Sequence, residues 1–200
     1  MGIDEVASYK KSSRAIFLDR DGVITANVFY REWGEWEAAM FPEDVSLLPN
    51  VLEALLRLQD ADYSLFLISN QGAFAKGKVS LKSLITTANY IADLLKNAGV
   101  CLTQAYYSFT HPNGIVKDFS GISLERKPSP YFLHVAAAAY DIDLSNSWMI
   151  GDRDTDIQCG KLAGCKTARI LDVHGKIYSD SIIPDVEAKS LYDAVPVILK

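Results

Sequence analysis

Ala15-Ile16-Phe17-Leu18-Asp19-Arg20-Asp21-Gly22 is the stretch that decides how this chain folds. Four apolar residues stop at two carboxylates spaced i and i+2, and a glycine follows. A run this short and this pure reads as a strand buried on both faces, the kind found in parallel sheets. Burying two unpaired charges at its end would be expensive, and a divalent cation is the obvious compensating partner. The carboxyl end of such a strand is also where open α/β sheets bind ligands.

Further strand candidates recur at 64–69, 105–109, 148–151 and 166–170, with helical patterns between them. Residues 50–61 carry Val51, Leu52, Leu55, Leu56 and Leu58 on one broad face, with Asn50 as a cap. Residues 80–98 repeat apolar side chains at helical spacing up to Gly99. Helices also fit 130–140, opening on Pro130, and 155–163, ending before Gly164. Strands alternating with helices predict a doubly wound parallel sheet, α/β in class, covered on both faces.

The chain of 200 residues fits a single domain spanning 1–200, with residues 1–13 as a flexible N-terminal segment and a minimal cap made of loops. Two segments break the alternation. Residues 27–43 are aromatic and acidic, and fit either a hairpin packed on the domain or a surface touching substrate. Residues 112–125 form a long polar loop. A net charge of −5 argues against nucleic acid as a partner, because no basic patch is available to neutralise phosphates. The cysteines, Cys101, Cys159 and Cys165, show no zinc or disulfide spacing and read as packing residues in a reducing compartment. The polar residues 1–14 do not form a signal peptide, and no stretch reaches the roughly 20 apolar residues of a membrane span. A monomeric cytoplasmic protein is the expectation.

Each strand ends in a residue type with chemical use. Asp19 and Asp152 suit Mg²⁺, which takes oxygen ligands and shares a phosphate oxygen. Ser69, Asn70 and Lys127 suit the remaining phosphoryl oxygens. A carboxylate beside the metal can attack phosphorus, and Asp21 can protonate the leaving alcohol and then deprotonate water. Taken singly these signals are weak. The ordered set Asp-x-Asp-Gly, Ser-Asn, Arg-Lys-Pro and Gly-Asp-x-x-x-Asp, each at an apolar segment's end, is much stronger.

That set resembles the haloacid dehalogenase superfamily of phosphotransferases, and the resemblance runs from about Arg14 to the end of the chain. Phe17 to Val23 is similar to the first motif, Ser69 to the second, Lys127 to the third, and Gly151-Asp152 to Asp156 to the fourth. The variants Asp-Arg-Asp-Gly-Val, Ser-Asn-Gln and Arg-Lys-Pro-x-Pro resemble the histidinol-phosphate and D-glycero-D-manno-heptose 1,7-bisphosphate phosphatases. The resemblance implies Asp19 as nucleophile, Asp21 as acid/base, and Mg²⁺ on Asp19, the Asp21 carbonyl and Asp152. It implies Ser69 and Lys127 on the phosphoryl group, and Arg126 and Arg153 on the sugar or its second phosphate.

The substrate expected from the resemblance is a small phosphorylated metabolite, first a heptose bisphosphate and next histidinol phosphate. An open crevice also admits a 3′-phosphorylated polynucleotide end, which the acidic balance disfavours. Many members of the subgroup carry a zinc loop. Here its cysteine and histidine positions hold Ser108, Thr110, Ser123 and Glu125, leaving His111 alone, so no structural zinc is expected. Packing around Phe119 and Ile122 would replace it. Two other classes compete: a signalling receiver domain, which has its phosphorylated aspartate on a later strand, and a phosphate-binding module without turnover. Among the remaining charged residues, Arg20 reads as a surface or phosphate-loop residue. Asp154 reads as a helix cap, and Asp156 as support for Lys127 or the metal.

Overall fold

In chain order the elements are β1 (Ala15–Leu18), β2 (Val28–Tyr30), β3 (Glu35–Glu37), α1 (Val51–Asp60), β4 (Ser64–Asn70), α2 (Leu81–Asn97), β5 (Leu102–Ser108), α3 (Tyr131–Tyr140), β6 (Trp148–Gly151), α4 (Asp154–Ala163), β7 (Lys166–Ile170), β8 (Val186–Ala188) and α5 (Leu191–Ile198). The computed structural model describes residues 13–171 and 178–200. The expected N-terminal segment lies outside the described residues except for its last residue.

Six strands form one parallel sheet in the order β5-β4-β1-β6-β7-β8. The chain fills β1, β4 and β5 outward in one direction, then returns beside β1 and fills β6, β7 and β8 in the other. That reversal opens a crevice at the carboxyl ends of β1 and its neighbours. Successive side chains of a strand face opposite ways, and both faces of β1 are covered. Ile16 and Leu18 pack with Leu55 and Leu58 of α1, Ile91 and Leu95 of α2, and Val195 of α5. Ala15 and Phe17 pack with Phe66, with Leu133 and Ala136 of α3, and with Cys159 of α4. This two-sided burial is why the opening run contains no polar residue until Asp19.

The helix ends show which local signals hold. Ser80 caps α2, its hydroxyl accepting the Ser83 N–H at 3.1 Å. Gly164 ends α4 in the left-handed region at φ 83°. Asn50 precedes α1, but in the left-handed region and without a side-chain cap bond. That helix is held by burial of Val51, Ala54, Leu55 and Leu58. β5 begins at Leu102 rather than at the expected 105, because an edge strand carries polar residues such as Thr103 and Gln104.

Residues 27–43 contain a hairpin, with Phe29 opposite Trp36. The Tyr30 hydroxyl donates to the Asp44 carboxylate at 2.5 Å and accepts the Met40 N–H at 2.9 Å, tying the hairpin base to the domain. Tyr30 and Trp33 pack beside buried Met40 and Leu84. Burial and the Asp44 hydrogen bond raise the pKa of Tyr30, so it stays a donor at any ordinary pH.

Candidate active site

β1 runs directly into Asp19, whose N–H donates to the Ile150 carbonyl of β6 at 2.8 Å. The Asp19 carboxylate meets the ammonium of Lys127 at 2.7 Å. The same ammonium lies 2.7 Å from Asp156 and donates to the Ile68 carbonyl at 2.7 Å. Burial works against the charged form of Lys127, but Asp156 and Asp19 outweigh it and raise its pKa. Asn70 fixes the backbone that presents this lysine: its amide donates to the Lys127 carbonyl and accepts the Lys127 N–H, each at 3.1 Å.

Ligand atoms of Asp19, Asp152 and Asp156 lie within 4.8 Å of one another, and all three residues are buried. Two glycines make this crowding possible. A Cβ on Gly22, at φ 88°, would fall 2.3 Å from Oδ2 of Asp152. A Cβ on Gly151 would fall 2.1 Å from that of Asp156. Asp156 also accepts the Arg153 N–H at 2.9 Å, at the start of α4.

Above the acids lies a cavity of about 460 Å³ lined by Asp19, Asp21, Asn70, Lys127, Arg126 and Arg153, among others. Ser69 and Asp152, both buried, are not among its lining residues. Arg126 is half-buried and donates to the Thr110 carbonyl at 2.8 Å. The Arg153 side chain is 51% exposed, with Nε 3.9 Å from Asp152.

The mouth is formed by the long loop and the hairpin. His111 organises the loop through its backbone: its N–H donates to Phe119, and its carbonyl accepts from Gly114 and Gly121. Its ring nitrogen Nδ1 accepts the Asn113 N–H at 3.1 Å. Burial, with Arg126 and Lys76 nearby, lowers the His111 pKa, favouring the neutral ring. Phe119 packs edge-on against Phe74 at 4.9 Å, as expected. Ile122 does not share that packing and stands 101% exposed. At the positions where the resemblance would place zinc ligands, Ser108 and Thr110 bond each other at 3.0 Å, and Ser123 accepts the Glu125 N–H at 3.2 Å. On the hairpin side Glu37 takes Lys76 at 3.0 Å and Lys78 at 2.7 Å.

Comparison with known proteins decides the family. A HAD-hydrolase-like family model matches residues 124–188. The chain is 31% identical to a D-glycero-D-manno-heptose-1,7-bisphosphate 7-phosphatase of Chlorobaculum tepidum, over 92% of this chain and 94% of that one. It is 32% identical to a D-glycero-beta-D-manno-heptose-1,7-bisphosphate 7-phosphatase of Escherichia coli, over 88% and 86% of the two chains. The chain belongs to the HAD superfamily of phosphatases. Its fold also matches the crystal structure of a D,D-heptose 1,7-bisphosphate phosphatase from B. bronchiseptica complexed with magnesium and phosphate. That TM-score is 0.72 at 23% identity, covering 93% of this chain and 98% of that one. The relatives are hydrolases and the acid pair follows β1, so the receiver reading is set aside.

Within this HAD framework the structure brings together Asp19, Asp21, Asn70, Arg126, Lys127 and Arg153 on one cavity, whereas Ser69 and Asp152 are buried outside its lining, Ser69 bonded to Gln71 and Asp152 grouped with Asp19 and Asp156. Arg20 is a correction. It is fully buried and forms an ion pair with Asp21 at 3.0 Å. A charged residue next to an acid in a turn gives no periodicity signal, so nothing in the sequence pattern placed it inside. Asp154 is a second correction: it begins α4 rather than capping it, and pairs with Arg169 at 2.6 Å. Gln71 was also missed; it bridges Asp21 at 2.7 Å and Ser69 at 2.9 Å. No helix among the described residues is long and apolar enough to cross a membrane.

Proposed function

We propose that this HAD phosphatase hydrolyses a phosphate ester of a heptose bisphosphate, by way of a phosphorylated Asp19. The observation that carries the reading is the Asp19 carboxylate held against Lys127 on one side of a buried acid cluster. Asp19 is oriented toward the cavity, and Lys127 lies where it can take charge from a transferring phosphoryl group. Asp21, two residues on and facing the same cavity, protonates the leaving oxygen and then takes a proton from water. Arg126 and the half-exposed Arg153 line the same cavity, where a second anionic group of a sugar bisphosphate would meet guanidinium donors.

The residues fit Mg²⁺. Of three buried carboxylates, Asp19 and Asp156 share the ammonium of Lys127, while Asp152 has the half-exposed Arg153 guanidinium 3.9 Å away, which leaves negative charge in excess. The donors are all oxygens, the chemistry a hard dication prefers. Asp19, Asp152 and the Asp21 carbonyl would hold the ion, while Asp156 is committed to Lys127 and the start of α4. When bound, Mg²⁺ supplies positive charge to the phosphoryl oxygens. The cytoplasm suits the free thiols of Cys101, Cys159 and Cys165.

The test is phosphate release across a panel of phosphorylated metabolites with Mg²⁺. Heptose 1,7-bisphosphate is expected to give the highest kcat/KM. A higher value for histidinol phosphate or a 3′-phosphorylated oligonucleotide would overturn the substrate assignment. No release from any ester, aryl phosphates included, would overturn hydrolysis itself.

A further inference from the structure

Arg20 is the largest fully buried side chain among the described residues. A buried guanidinium is costly unless its charge is paired and its donors bonded; Arg20 meets this through Nε and Nη2, while Nη1 has no hydrogen-bond partner. Its Nε lies 3.0 Å from both carboxylate oxygens of Asp21, and its Nη2 donates to Gln71 Oε1 at 2.9 Å and to the Ala39 carbonyl at 3.3 Å. Arginine offers donors only, so the Gln71 oxygen must face it and the Gln71 NH₂ must point away. That NH₂ donates to Asp21 Oδ2 at 2.7 Å and to Ser69 Oγ at 2.9 Å. Thr25 donates to Asp21 Oδ1 at 3.1 Å. Both oxygens of Asp21 are thereby held from several directions, while the residue still lines the cavity.

The two carboxylates after β1 thus have separate cations: Lys127 for Asp19 and Arg20 for Asp21. Among the described residues neither cation bridges the pair. We propose that Arg20 and Gln71 are positioning residues that aim Asp21 at the leaving-group oxygen; the proposal rests on the phosphatase reading above. In the first half-reaction an Asp19 oxygen bonds to phosphorus as the ester P–O bond breaks. The departing oxygen takes the proton of Asp21. In the second, a water oxygen bonds to phosphorus, its proton returns to Asp21, and the Asp19–phosphorus bond breaks to release phosphate. Only a correctly aimed Asp21 serves both steps. The Gln71 bridge to Ser69 keeps that aim in register with the β4 end of the site.

Leaving groups separate this role from a merely structural one. Nitrophenolate departs without a proton, whereas a sugar or simple alkyl alkoxide needs one. The comparison is kcat/KM for p-nitrophenyl phosphate and for an alkyl phosphate, which reports steps through loss of the alcohol. In Arg20→Lys and Gln71→Met the alkyl value is expected to fall about 100-fold and the aryl value less than about 5-fold. Asp21→Asn should show the same split, larger. Circular dichroism establishes which variants are folded, and if Arg20→Lys is not, Gln71→Met decides. Equal losses for both esters, or no loss in folded Gln71→Met, would overturn the proposal. Wild-type protein inert toward both esters would instead overturn the phosphatase reading.

Discussion

At the floor of the site, Asp19, Lys127, Asp152 and Asp156 are at most 6% exposed, and Lys127 meets two carboxylates and a carbonyl at once. At the mouth, Ile115, Ile122 and Leu124 are between 73% and 101% exposed, and the long loop is secured by backbone bonds around His111 and to the Ala75 carbonyl, by the Ser120 and Arg126 side chains, and by the Phe119–Phe74 contact. The floor is over-determined: removing one group leaves buried charges facing each other. The mouth is supported at few points, so residues there can change without loss of the fold. On the proposed function, the chemistry belongs to the first region and discrimination among esters to the second.

The largest effect should come from the floor. Asp19→Asn keeps the shape of the residue but removes the carboxylate proposed as nucleophile. Phosphate release is expected to drop to the background of the assay, with the thermal transition retained. Near-normal turnover in that variant would remove Asp19 from its role and erase the contrast between floor and mouth.

Gly22→Ala tests the crowding beneath the floor without altering any polar group. Its Cβ would fall 2.3 Å from Oδ2 of Asp152, at a backbone φ of 88° that disfavours a side chain. Displacing Asp152 is expected to raise the Mg²⁺ concentration for half-maximal activity by about 10-fold or more. A Mg²⁺ titration of initial rates measures it, and an unchanged curve would separate Asp152 from metal binding.

The same contrast explains what could be read from sequence. The floor was legible because strand ends are marked twice, by apolar runs that stop and by the polar types that follow. β1, β6 and β7 lie where the pattern predicts, since buried central strands leave few polar residues to blur their ends. Asp156 was legible to within one alternative: its place in the acidic turn marked it as support for Lys127 or the metal, and the structure shows the ion pair with Lys127 at 2.7 Å. Arg20 and Gln71 were missed for the opposite reason. The bond between Arg20 and Gln71 joins two separate turns, and charge argued for the surface in the case of Arg20. The edge elements were also missed. β8 has three residues, and α5 contains Pro196, so neither produces a long periodic signal.

A smaller effect is expected at the loop. Phe119→Ala removes the edge-on contact with Phe74, worth about 1 kcal/mol. KM for a sugar phosphate should rise about 3- to 10-fold with kcat nearly unchanged, the pattern of lost uniform binding. Ile122→Ala, at a fully exposed position, should alter stability by less than about 0.5 kcal/mol. If Phe119→Ala lowers kcat instead, the loop positions the chemistry and the division between regions fails.

The smallest effect concerns Glu37, where the hairpin meets the turn after β4. Burial alone would raise its pKa, but hydrogen bonds from Lys78 and Lys76 more than offset that and hold it below the usual glutamate value. A carboxylate with a depressed pKa adds stability that is complete above its unfolded value and disappears as pH falls through the folded one. Wild type should therefore exceed Glu37→Gln in thermal stability by a constant margin around neutrality. The margin should shrink below about pH 4.5, where protonation gives wild type the same neutral side chain. Parallel melting curves from neutral pH down to pH ~3 measure it, spanning the ordinary glutamate range. A margin that stays constant to the acid end would mean that the lysine pairs do not tether the hairpin, which would then rest on Tyr30 and its neighbours.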